Sequence, residues 1–129
     1  MNWVQTAPVT AEAGKSAWTT GETLTIQQNE KILRKVTVFI ESAAGDRVRV
    51  KITKDGTSLI PASGMVTTSS NDLGYINMSG YPITMEVNTE VKKSQTVEVQ
   101  YQNLDSTDAH SLLVIFEFSN LPVERASLR

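Results

Sequence analysis

The chain has 129 residues, 40% of them hydrophobic and only 6% aromatic, which is the size of one domain with a mostly aliphatic core. Its 12 basic and 14 acidic residues leave a formal charge of −2, which excludes the broadly basic face that direct nucleic-acid binding needs. The absence of cysteine excludes disulfides, thiolate metal sites and a cysteine nucleophile, and no segment approaches the roughly 18 consecutive apolar residues of a membrane-spanning helix.

Residues 1–22 are small and polar, with Trp3 and Trp18 among Ala, Thr, Gly, Pro and Ser. No strand or helix period is sustained, so this segment reads as an extended N-terminal arm. Its first eight residues have neither a basic region nor an apolar one, so they are no signal peptide. With Met1 as the natural start, the expected site of synthesis is the cytoplasm.

Regular structure is expected from Thr23-Leu24-Thr25-Ile26 onward. In Ile32 to Ile40, the residues Ile32, Val36, Val38 and Ile40 share a parity that Arg34 interrupts. Ala43-Ala44-Gly45-Asp46 reads as a turn. Arg47 to Thr53 then alternates, with Val48, Val50 and Ile52 on one face and charged residues on the other. A period of two marks a strand with one buried face. The basic residues Arg47, Arg49, Lys51 and Lys54, like those of Lys31 to Lys35, thus read as a solvated surface. Asp55-Gly56 predicts a tight hairpin, because a type I′ turn needs positive φ at both central positions. The return strand runs from Thr57 to Ile60 and ends at Pro61.

Residues 61–74 read as a loop, and Tyr75 to Met78 as a short strand. Ile83, Met85 and Val87 alternate with polar residues, as do Val97, Val99 and Tyr101, with Lys92-Lys93-Ser94 as the turn between them. Asn103 to His110 is a polar loop. Leu112 to Phe118 is the most apolar stretch, expected to be buried on both faces, and so either central in its sheet or covered by a partner. Seven or eight short strands with turns about every ten residues predict an all-β antiparallel sandwich. The expected organisation is an arm over 1–22, a β-sandwich domain over 23–120 and a C-terminal tail over 121–129.

The residues that common catalysis needs are missing or isolated. His110, the single histidine, reads as an exposed loop residue, because no motif positions it against a serine and an acid. Asp105, Asp108, Asn71 and Asp72 fit no calcium loop and read as turn residues. Glu86 and Glu98 fall on polar parities and read as solvated. The seven glycines form no phosphate-binding motif. No catalytic residue, metal site or cofactor is expected, and the chain is read as a non-enzyme. The best functional candidates are Trp3, Val4 and Trp18. The tryptophans pin the arm to its own domain, enter pockets on neighbouring subunits, where tryptophan is a frequent anchor, or stack on a sugar.

In its strand rhythm over residues 23–119, its arm, and the run Val97-Glu98-Val99-Gln100-Tyr101 followed by a polar loop and Leu112 to Phe118, the chain resembles small single-jelly-roll capsid and capsid-decoration proteins of viruses and phages. The resemblance implies a jelly-roll sandwich that packs beside copies of itself or other shell proteins in a virion, as a homo-oligomer without membrane or nucleic-acid contacts. The alternative is a carbohydrate- or ligand-binding sandwich module, with Tyr75 and Tyr81 as part of an aromatic platform.

Overall fold

The structure is a computed structural model, and it describes residues 2–26, 31–59 and 75–120. The alternating runs become strands, each with one face turned inward. In chain order these are β1 (Asn2–Ala11), β2 (Lys15–Thr25), β3 (Lys31–Ile40), β4 (Val48–Lys54), β5 (Thr57–Ser58), β6 (Ile83–Val91), β7 (Thr96–Asn103) and β8 (His110–Asn120), with a 3-10 turn at Ser42–Ala44. They form two four-stranded sheets in the orders β1-β8-β3-β6 and β2-β7-β4-β5.

That order has a simple rule. β1 pairs antiparallel with β8, β2 with β7, β3 with β6 and β4 with β5. The chain is one long hairpin wound into two sheets, which is the jelly roll. The hairpin tip is the Asp55-Gly56 turn, and both residues have positive φ, 49° and 87°, as a type I′ turn requires. The core between the sheets is chiefly aliphatic, with Phe116 and Phe118 its largest fully buried side chains.

The expected N-terminal arm is instead two strands of the sandwich. β1 pairs with β8 along its length, and β2 pairs with β7 as far as Thr25. The sandwich therefore starts at residue 2, not 23. The inward residues of β1 are Ala7, Val9 and Ala11, all buried. They alternate as a strand should, but two of the three are alanine, and so the period is faint. Small side chains are needed there because β1 and β2 run close together. A Cβ placed on Gly21 of β2 would lie 2.5 Å from Val9 Cγ1. The expected tail, 121–129, lies outside the described residues.

Two other strands differ from expectation. β8 is central, between β1 and β3, but only alternate residues point into the core; Leu113, Ile115 and Glu117 are half-buried on the outer face. Of the strand expected at Tyr75 to Met78, only Ile76 pairs, in a bridge to Val50. The parity break in β3 is real. The register shifts between Leu33 and Lys35 against both β6 and β8. The shift brings Leu33 onto the core side with Val36, Val38 and Ile40, as a β-bulge does. Asn88 of β6, beside the bulge, has φ 44°.

Candidate functional site

His110 is the first inward residue of β8, opposite Ala11 of β1. It is 5% exposed, as is Asp105, so the expectation of an exposed loop histidine is corrected. Its parity with Leu112, Val114 and Phe116 was the available signal. The ring lies between two carboxylates: Nδ1 is 2.7 Å from Glu41 Oε2, and Nε2 is 2.9 Å from Asp105 Oδ2. Glu41 closes β3, and Asp105 belongs to the β7–β8 loop.

The loop builds this arrangement itself. Asp105 Oδ1 accepts hydrogen bonds from Thr107 N, Thr107 Oγ1 and Asp108 N, an Asx-type turn. Asn103 is wholly buried. Its Nδ2 donates to the carbonyls of Ala11 and Asp108, and its Oδ1 accepts from Asp105 N. Arg47 Nη1 lies 3.4 Å from Asp105 Oδ2.

These contacts set the charge states. The hydrogen bond to Asp105 raises the His110 pKa above the ordinary imidazole value; burial opposes this, and Glu41 adds to the rise. The hydrogen bond from His110, then those from the Thr107 and Asp108 amides, hold the Asp105 carboxyl well below the usual range. Both ring nitrogens are engaged by protein acceptors, so neither is placed to take a proton from a substrate. Both Asp105 oxygens are likewise engaged by protein groups. Among the described residues no three His, Cys, Asp or Glu side chains are grouped to hold a metal. Asn71 and Asp72 lie outside the described residues. Glu86 and Glu98 sit on β6 and β7, in different sheets, and their outward parities place them on opposite sides of the sandwich. They form no carboxylate pair.

Trp3 stacks on Phe118, with ring centroids 5.6 Å apart, and Lys31 Nζ lies 4.1 Å from its ring centre. Trp18 packs beside Tyr75 at 6.3 Å, with Lys51 Nζ 4.4 Å from its ring centre. Tyr75 is buried and carries the Arg49 guanidinium at 5.0 Å. Both indoles are thus held by cations and aromatics of their own domain. Val4, on the edge strand β1, is 55% exposed, and Tyr81 is 51% exposed. The three candidate residues are not brought together, since Trp3 and Val4 lie on β1 and Trp18 lies on β2 in the other sheet.

On the outer face of the β1-β8-β3-β6 sheet, the sequence points only to the doubly apolar run of β8, Leu112 to Phe118; the neighbouring residues that complete the face were not singled out. Its cross-strand rows are Pro8–Leu113–Phe39, then Thr6–Ile115–Thr37–Thr84, then Val4–Glu117–Lys35–Glu86. The first two rows join Pro8, Leu113, Phe39 and Ile115 into an apolar strip, with Phe39 37% exposed. The third row alternates in charge. Beside it, at the β3 bulge, is an open depression of about 320 Å³ lined by Arg34, Lys35, Glu86, Asn88, Glu117 and Phe118. Arg34 is aimed there by hydrogen bonds from Nε to Ser119 Oγ, 2.7 Å, and from Nη1 to Asn88 Oδ1, 3.4 Å.

No protein-family model matches the chain, and no curated protein matches it in sequence. Solved structures do. The crystal structure of FLHE is 12% identical, with 93% of this chain and 97% of that chain covered and a TM-score of 0.51. The infectious bursal disease virus Gx strain structure is 12% identical, covering 93% of this chain and 32% of that chain, with a TM-score of 0.39. A protein of the disulfide-linked pili that Bacillus endospore appendages form is 11% identical, covering 94% and 89%, with a TM-score of 0.41. With FLHE the shared property is the fold, a β-sandwich that extends along nearly the whole of both chains.

Proposed function

We propose that the protein is a non-catalytic structural subunit of a larger assembly, and that it acts through contacts between copies of itself or with other shell proteins. One observation carries this reading: the apolar strip on the outer face of the β1-β8-β3-β6 sheet, which Val4 flanks at the open edge. Monomeric proteins seldom leave contiguous apolar surface of this kind uncovered. Charge-alternating rows such as Val4–Glu117–Lys35–Glu86 set the register of a contact more than its strength. The jelly-roll winding supports the more specific form, a virion capsid or capsid-decoration protein. The only histidine, with both nitrogens engaged, supports a role without catalysis. Against the carbohydrate-module alternative stand Trp18 and Tyr75, whose rings are already engaged by Lys51 and Arg49.

The test is the mass of the full chain in solution, by light scattering at micromolar concentration, beside Val4→Glu and Phe39→Glu. Wild type should be oligomeric. The variants should shift toward monomer with unchanged circular dichroism, because both positions are exposed. A wild-type monomer throughout that range overturns the reading.

A further inference from the structure

Three connections meet at one end of the sandwich. Gly14 N, in the β1–β2 turn, donates to Asp105 O at 2.8 Å. Leu104 N, in the β7–β8 loop, donates to Arg47 O of the β3–β4 connection at 2.8 Å. The side-chain link between the last two elements is Glu41–His110–Asp105, with Arg47 on the far side of Asp105. Ala11, the residue across from His110 on β1, carries no charge. The groups that face the imidazole are therefore the two carboxylates, and Arg47 meets them through Asp105.

A carboxylate only accepts hydrogen bonds. An imidazole with a carboxylate on each nitrogen satisfies both only when both nitrogens carry protons. The cluster is then neutral as a whole: two carboxylates, one guanidinium and one imidazolium. Once the ring is neutral, one carboxylate faces a lone pair at under 3 Å, and that contact must open. The two carboxylates are not equally free to leave. Asp105 is buried and held by Thr107, Asp108 and Arg47. The Glu41 side chain is 38% exposed and has water within reach.

We propose that His110 is a proton-held clasp: as an imidazolium it fastens the β3–β4 connection to the β7–β8 loop, and losing its proton as pH rises releases Glu41 and the 3-10 turn that follows it, while the core stays folded. The upward shift of the His110 pKa agrees with this direction. The clasp is independent of the assembly reading, because it depends only on contacts within one chain.

As the chain has one histidine, its ring signals in nuclear magnetic resonance are unambiguous. The ring should titrate above the free imidazole value of about 6.5, with both ring nitrogens protonated on the acid side of that transition. The reporters are the amides of Ala44, Gly45 and Arg47, bonded to Glu41 O, Ser42 O and Ala44 O. Their hydrogen-exchange protection, corrected for the intrinsic effect of pH, should fall about ten-fold or more across the His110 transition. Protection of Val114 and Phe116 should stay unchanged. In Glu41→Gln, the amide can accept from or donate to Nδ1, so the step at residues 44–47 should vanish. A ring that titrates at or below the free imidazole value, a protection profile without the step in wild type, or a step that survives in Glu41→Gln would each overturn the proposal.

Discussion

Gly21→Ala tests how closely the two sheets approach at their N-terminal strands. The new Cβ would sit 2.5 Å from Val9 Cγ1 and 3.3 Å from both Val9 Cγ2 and Tyr101 Cδ2. Gly21 has no positive φ, so space alone decides. Val9 is buried and, being β-branched, is stiff at χ1; it yields only by leaving its rotamer or by pushing β1 from β2. Overpacking of this kind costs about 1–3 kcal/mol. Restricting the unfolded chain by Gly→Ala offsets about 0.4–1 kcal/mol of that. The expected net loss is about 1–2 kcal/mol, or a fall in Tm of roughly 3–10 °C for a domain of this size. Val9→Ala alone removes two buried carbons and should cost about 2 kcal/mol. In the Val9→Ala background the clash partner is gone, and Gly21→Ala should become neutral or slightly stabilising. Urea unfolding of the four chains, followed by tryptophan fluorescence, gives the coupling energy directly. Additive effects, or a wild-type background stabilised by Gly21→Ala, would refute the close approach.

Asn103→Ala should destabilise by about 2–4 kcal/mol, since it strips hydrogen bonds from the buried groups at Ala11 O and Asp105 N and from the part-buried Asp108 O; a loss under about 0.5 kcal/mol in chemical denaturation would contradict the buried network. Stability should also depend on pH in a definite sense. The folded pKa of His110 lies above its unfolded value, so its contribution is full below about pH 6.5 and drains away as pH rises through the folded value. Asp105 is the reverse: its depressed value contributes above the ordinary carboxylate range and is lost only in strong acid. The urea midpoint should thus decline in wild type as pH rises from about 6.5 through the His110 transition, and a midpoint that rises over that interval would contradict the sign.

The sequence revealed strands wherever large residues alternate with charged ones. Val48, Val50 and Ile52 against Arg49 and Lys51 gave β4 almost to the residue, and Asp55-Gly56 gave the hairpin tip. β1 and β2 stayed hidden because their inner face uses size, not hydrophobicity, to meet its neighbour. Gly21 fits where a Cβ would collide with Val9, Ala7 and Ala11 are buried small residues, and alanine and glycine carry little hydrophobic signal. Arg34 showed in the sequence as a break in period, yet its meaning needed both partner strands, since a bulge exists only relative to what it pairs with. His110 was misjudged for a related reason. Its loop is polar in sequence, but Asn103 and Asp105 turn those polar groups inward onto each other. The outer apolar strip depends on bringing residues 8, 39, 113 and 115 into adjacent rows, which no local pattern reports.

The pairing of Asn2 with Ser119 has a consequence for biosynthesis. Chains emerge from the ribosome N-terminus first, so β1 is made before β8 and waits for this partner until the strands between them are out. A strand that waits is a hazard if it is sticky. This one carries Pro8, three threonine or glutamine residues (Gln5, Thr6, Thr10) and two alanines on its inner face, a poor template for aggregation. The opposite applies to β8. Its Leu-Leu-Val-Ile-Phe run is the segment most able to self-associate, and it appears only when both of its neighbours, β1 and β3, already exist to receive it. The order of synthesis and the order of stickiness are matched, so the last strand can close the sheet as soon as it is exposed.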